Sequence, residues 1–212
     1  MSATLHYIFD PMCGWCYGAA PLVRAAREID GLTVVPHGGG MFSGANIQHV
    51  NEGLRNYVMQ HDQRIAKMSG QPFGQAYFDV LLRDHDAVFD SDPPIAAILA
   101  AEAMGGRGLD MLARIQTAHY VDGRRVADRS VLLALAAEIG LDAAAFATRF
   151  DAVGPQTIAE HTRASNALLR QVGGGGYPTF ALEHAGQIAQ IPAGPYLGKP
   201  AAWQALLISR LD

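Results

Sequence analysis

The sequence predicts an α/β fold. A βαβ unit at the start and a ββα unit at the end share one sheet around a large inserted all-helical domain. Three observations carry this. Runs rich in β-branched and aromatic residues lie near the two ends of the chain. The segment from about 45 to 172 instead repeats apolar residues at helical spacing and contains no convincing strand run. A contiguous sheet then requires the two ends to come together, with the helical region as an insertion rather than a following domain. The expected domains are residues 1–42 with 174–212, and the insert 43–173.

In chain order, Leu5-His6-Tyr7-Ile8-Phe9 reads as the first strand and Ala19 to Ile29 as the first helical pattern. Gly31 breaks it, and Leu32-Thr33-Val34-Val35 reads as the second strand, closing a βαβ unit. The glycine-rich run from Pro36 to Gly44 lacks the spacing and lysine of a phosphate-binding loop. It reads as a bend leaving the sheet. Helical spacing then runs from Ile47 to Met68, and Ala76 to Arg83 forms a short helix. Asp92 can cap the segment that opens with Pro93-Pro94. Further helices follow from Leu109, from Asp128 or Ser130, from Asp142 and from Thr157 to Val172. Glycines 173 to 176 form a hard break. Tyr177 to Leu182 and Ile188 to Ile191 read as two strands about the turn Ala185-Gly186-Gln187, and a terminal helix opens at Pro195 or Lys199-Pro200.

The bulk numbers exclude several classes. Half of the 212 residues are hydrophobic and 17% are charged, which is the composition of a folded chain and not of a disordered one. A net charge of −4 and a pI near 6.0 do not indicate a nucleic-acid-binding surface. No apolar run approaches the length of a membrane span. Met1-Ser2-Ala3-Thr4 runs straight into the first strand and leaves no room for a signal peptide, so the expected location is cytoplasmic.

Both cysteines lie in Phe9-Asp10-Pro11-Met12-Cys13-Gly14-Trp15-Cys16-Tyr17-Gly18, where a strand ends and a helix begins. Residues at i and i+3 share one face of a helical turn, which brings two thiols within disulfide range. The positive end of the helix favours a thiolate on the first cysteine. Strand, Cys-x-x-Cys, helix is the local layout of a thiol–disulfide redox site. A purely structural disulfide closing so short a loop would remove little chain entropy. A zinc site needs more ligands, and no second cysteine pair and no His-x3-5-His spacing exist. A c-type haem site needs histidine after the second cysteine, where Tyr17 stands. Asp10 reads first as a turn acceptor and second as a group that tunes the thiols. Trp15 is equally a packing residue or a wall of the substrate path. His37 and His161 read as structural.

The order βαβ, helices, ββα, with Cys13-Gly14-Trp15-Cys16 at the first helix and Gly176-Tyr177-Pro178-Thr179 before the third strand, resembles the DsbA-like branch of the thioredoxin superfamily. There a helical domain is inserted into a thioredoxin-like fold. The stretch Phe9 to Cys16 is similar to the cytosolic, FrnE-like members. The resemblance implies a thiol–disulfide oxidoreductase. It implies Cys13 as the exposed nucleophile, Cys16 as the buried resolving cysteine, and Pro178 as the cis-proline that faces the disulfide. The Tyr177 backbone would then lie beside the sulfurs and pair with an extended substrate like an added strand. Gly14 and Trp15 would support the site between the cysteines. That dipeptide holds no histidine to stabilise the Cys13 thiolate, which leaves oxidase, reductase and isomerase directions open. The chemistry requires no metal, nucleotide or flavin. The implied partners are a disulfide- or thiol-bearing protein or a small thiol, with glutathione the candidate co-substrate. Two rivals remain: a glutathione-dependent isomerase or transferase of the hydroxychromene-carboxylate isomerase or kappa type, and a peptide-binding or chaperone module. The first typically carries serine where this chain has Cys13.

Overall fold

The computed structural model describes residues 3–211. Met1, Ser2 and Asp212, the termini of the expected first domain, lie outside the described residues. The elements run β1 (Ala3–Phe9), α1 (Gly14–Gly18), α2 (Ala20–Arg27), β2 (Leu32–Gly38), β3 (Gln48–His49), α3 (Glu52–Ser69), α4 (Gln75–Asp79), β4 (Val88–Phe89), α5 (Asp92–Glu102), α6 (Gly108–Tyr120), α7 (Arg129–Glu138), α8 (Ala143–Ala152), α9 (Pro155–Gln171), β5 (Thr179–His184), β6 (Gln187–Ile191) and α10 (Pro200–Ile208).

One four-stranded sheet joins the two ends of the chain in the order β2-β1-β5-β6. β1 pairs in parallel with β2 and antiparallel with β5, which pairs antiparallel with β6. The second strand runs on through Pro36 to Gly38, past the Val35 end that its sequence suggests. Proline is tolerated there because β2 is an edge strand, with one side free of the ladder. The third strand starts at Thr179, so Tyr177 and Pro178 precede it instead of opening it. The β5–β6 turn places both Ala185 (φ 51°) and Gly186 (φ 76°) in the left-handed region, as a two-residue hairpin of the twist-matched kind demands.

By packing, the described chain forms two compact units. The first takes in the chain up to Gly39, Arg64–Gln71, and the chain from His161 on. The second consists of Gly40–Gln63 and Pro72–Glu160. In the first unit, Leu5, Tyr7 and Phe9 alternate on one buried face of β1. Tyr7 lies opposite Phe180 in the ladder and stacks on it at 4.8 Å between centroids, and Phe180 meets the buried Trp203 of α10 edge-on at 5.1 Å. Such aromatic cross-strand pairs stabilise a sheet by roughly 0.2–1 kcal/mol each.

In the second unit, α5 packs against α6, α7 and α8, through the fully buried Ala97, Ala101, Ile115, Leu132, Leu135 and Phe146. The Asp142 carboxylate caps α8 by accepting the Ala145 N–H at 2.8 Å. This segment is not all-helical. Gln48–His49 pairs with Val88–Phe89 in a two-stranded ladder. Two residues per strand are too few to leave an alternating pattern in the sequence.

Candidate active site

The expected helix after the cysteines is two helices. Cys13 is the N-cap of α1, a five-residue helix, and α2 restarts after Ala19. Pro21 lies in the first turn of α2, where its missing N–H is tolerated, and the Gln71 side chain donates to the Tyr17 carbonyl at 3.2 Å. The Tyr7 hydroxyl donates to the Cys16 carbonyl at 3.1 Å, which ties the cysteine turn to the core of the sheet.

Both thiols are free. Cys13 retains 6% of its surface in contact with solvent and Cys16 none. The difference in access runs in the expected direction, but Cys13 is itself largely covered and is no open thiol. Burial holds the Cys16 thiol well above the ordinary range, and the adjacent Cys13 thiol adds to this. The Asp10 N–H, 3.5 Å from Cys16 Sγ, works the other way. Asp10 is fully buried, and its carboxylate accepts the Met12 N–H at 2.9 Å, the turn bond that its sequence position suggests.

Tyr177 and Pro178 meet this turn from the far end of the chain. The Tyr177–Pro178 bond is cis. The Tyr177 carbonyl oxygen stands 3.6 Å from Cys13 Sγ. Its ring is held just as firmly: the hydroxyl donates to Asn166 Oδ1 at 2.6 Å and lies 3.0 Å from the Gly39 carbonyl oxygen, to which Asn166 Nδ2 donates at 2.8 Å. Burial pushes the Tyr177 hydroxyl above its ordinary range, which keeps it a donor. A Cβ on Gly39 would lie 2.2 Å from the Tyr177 ring. The glycine-rich run therefore serves close approach: the loop edge packs directly on the residue that faces Cys13.

Asn166 is a site-supporting residue that sequence reading missed. It lies inside a helix, and its only trace is a polar residue in an otherwise unremarkable amphipathic pattern. His161 accepts the Gly38 N–H at 3.0 Å, and His37 contacts His6 at 2.9 Å. Burial first, and the neighbouring His6 second, push His37 down to about 4, so it stays neutral. Both histidines hold the end of β2.

Beside the cysteine turn runs a mostly apolar groove of about 510 Å³, whose lining includes Trp15, Met68, Tyr177, Pro178, Ile191 and Leu197. Trp15 is thus a groove wall. Five of the six expected site residues meet here: Cys13 and Cys16 at the turn, and Trp15, Tyr177 and Pro178 along the groove. Gly14 is the first residue of α1, between the two cysteines. Among the described residues, no group of three or more histidine, cysteine or acidic side chains is placed to hold a metal ion.

The DSBA-like thioredoxin domain model matches residues 4–193. The cytosolic disulfide reductase DsbM from Pseudomonas aeruginosa is 56% identical, with 98% of each chain covered and a TM-score of 0.92. A structure of that protein with GSH superposes with a TM-score of 0.90 at 53% identity, again over 98% of each chain. A candidate protein disulfide isomerase from Nitrosomonas europaea is 24% identical over 99% of this chain and 97% of its own (TM-score 0.77), a likeness in fold alone. A 2-hydroxychromene-2-carboxylate isomerase likewise shares only the fold, at 15% identity over 98% of this chain and 97% of its own (TM-score 0.59). No curated protein sequence matches the chain. With its paired thiols intact at the start of the first helix, the chain belongs to the DSBA-like thioredoxin domain family and is a thiol–disulfide oxidoreductase.

Proposed function

We propose that the enzyme works in the cytosol as a disulfide reductase, with Cys13 as nucleophile, Cys16 as resolving thiol and glutathione as the source of electrons. The observation that carries the assignment of roles is the placement of Cys13 Sγ 3.6 Å from the carbonyl of Tyr177, a residue of the groove lining, with a little of its surface still in contact with solvent, while Cys16 is fully buried. The cytosolic reductase at 56% identity and its glutathione-bound form support the direction, the compartment and the small thiol. Among the described residues no helix is long and apolar enough to cross a membrane.

The chemistry follows from access and burial. The Cys13 thiolate attacks one sulfur of a substrate disulfide; the substrate S–S bond breaks, and the departing thiolate takes up a proton. The mixed disulfide sits beside the Tyr177 backbone and Trp15. Cys16, held protonated until then by its burial, loses its proton and attacks Cys13 Sγ. The mixed disulfide breaks, the second substrate thiol leaves, and Cys13–Cys16 is oxidised as the substrate gains two electrons. Tethering three residues away gives Cys16 a high effective concentration at that bond. Two glutathione thiols then reopen Cys13–Cys16 in two exchanges, leaving glutathione disulfide and the reduced enzyme.

The test is the equilibrium potential of Cys13–Cys16 against glutathione, run beside insulin reduction. Thioredoxin, a reductant, lies near about −270 mV and DsbA, an oxidant, near about −120 mV. A value close to the first, with insulin reduced at the expense of glutathione, is expected. A value close to the second, or insulin reduction that survives loss of both thiols, overturns the reading.

A further inference from the structure

Among the described residues that line the groove beside the cysteines, none carries a charged side chain. An apolar wall of that kind offers a charged thiol no ion-pairing partner. A cation lies against one wall residue: the Arg64 guanidinium carbon is 5.7 Å from the centre of the Trp15 ring, within reach of a cation–π contact. Arg64 is exposed and has no carboxylate partner among the described residues. Trp15 lines the same groove as Tyr177, whose carbonyl stands 3.6 Å from Cys13 Sγ, so a group that extends from Cys13 Sγ along the groove passes that ring.

We infer that Arg64, steadied on Trp15, reads a carboxylate of the thiol that exchanges with Cys13, and so selects anionic tripeptide thiols of the glutathione type over neutral ones. The inference rests on the thiol–disulfide exchange reading above. Three physical points support it. A guanidinium held over the face of a ring keeps N–H groups free to donate paired hydrogen bonds to a carboxylate. The stacking also reduces the side-chain freedom that binding would otherwise have to remove. In glutathione the glycine carboxylate lies one residue, about 3.5 Å of extended backbone, beyond the cysteine that forms the mixed disulfide. Trp15 on the groove wall and the cation over its ring are the right scale of neighbour for that carboxylate. The guanidinium stays protonated throughout and takes no part in the electron transfer.

The experiment measures the second-order rate at which a thiol opens the oxidised Cys13–Cys16 pair, with glutathione and with glutathione diethyl ester, whose carboxylates are masked. The readout is the ratio of the two rates. Exposed ion pairs are worth at most about a fivefold effect, so Arg64→Gln should lower the preference for glutathione about three- to fivefold. Arg64→Glu should lower it further, and Arg64→Lys should restore part of it. The wild-type preference should fade in about 1 M salt, where the screening length is about 3 Å. If Arg64→Gln slows both thiols equally, Arg64 merely props Trp15 and the inference is overturned. An unchanged ratio in Arg64→Glu overturns it as well. If neither thiol opens the wild-type pair while dithiothreitol does, glutathione is not the co-substrate, and both the inference and the proposed function fail. If both thiols open it and only the Arg64 dependence is missing, the proposed function stands and the inference alone falls.

Discussion

Gly39→Ala should damage both stability and exchange chemistry, through one contact. The new Cβ would lie 2.2 Å from the Tyr177 Cζ and hydroxyl oxygen. Ordinary carbon contacts are about 3.5–4.0 Å, so the ring has to move by roughly 1.5 Å. It cannot do so freely, because its hydroxyl is bound to Asn166 at 2.6 Å and its backbone leads directly into Pro178. Overpacking of this kind costs about 1–3 kcal/mol, and loss of the hydroxyl bond adds about 1. The expected loss is about 2–4 kcal/mol, or roughly 5–15 °C in Tm for a chain of this size. The Tyr177 carbonyl, 3.6 Å from Cys13 Sγ, would shift with the ring. Misplacement by about 1 Å can slow a positioned reaction about a hundredfold, so insulin reduction should fall by tenfold or more. Thermal unfolding and the reduction assay should be run as a double-mutant cycle with Tyr177→Ala. With the ring gone, Gly39→Ala should cost less than about 1 kcal/mol. If the alanine costs the same in both backgrounds, the clash is not with Tyr177 and the reasoning is refuted.

The two cysteines should separate by role. Cys16→Ser should accumulate reductant-sensitive adducts on Cys13, and Cys13→Ser should trap none and reduce no insulin; adducts on Cys13→Ser instead would reverse the assignment. Alkylation of the reduced wild type near pH 7 should label Cys13 well before Cys16, whose thiol burial holds protonated. Burial pushes the Asp62 carboxyl up to about 7, against the pull of the Tyr77 hydroxyl that donates to it at 2.8 Å. The folded state therefore keeps a proton that the unfolded state has released above about pH 4, and stability falls by up to about 1.4 kcal/mol per unit as pH rises to 7; Asp62→Asn should stabilise at pH 8 and not at pH 4, and an equal effect at both sinks the assignment. His119 is buried without a hydrogen bond at either ring nitrogen, and burial pushes it down to about 3. Unfolding lets it charge, so its contribution is lost as pH falls from about 6.5 toward 3, and His119→Phe should flatten the urea-unfolding profile across that window.

The sequence by itself determined the class of chemistry and the broad order of the fold. Cys13 and Cys16 are three residues apart, so their meeting is a local property of one helical turn and needs no tertiary information. The strand-like runs at 5–9, 32–35 and 177–191 likewise carry their own alternation, and the observed sheet uses all of them. Pro178 could be placed opposite the thiols only through the family resemblance, because nothing in a lone proline states which residue, 165 positions earlier, it will face. What only the tertiary structure decided is how that meeting is built. The Tyr177 carbonyl at Cys13, the Asn166 and Gly39 contacts that hold the Tyr177 ring, and Arg64 over Trp15 all join residues far apart in the chain. The extension of β2 through Pro36 depended on its place at the sheet edge, which is a property of strand order. The two-residue ladder of β3 and β4 was invisible for a related reason: pairing so short is stabilised by its surroundings and leaves no period of its own. Periodicity reports which face of a segment is buried. It does not report what that face is buried against, and in this protein the groove beside the cysteines is made of that second kind of information.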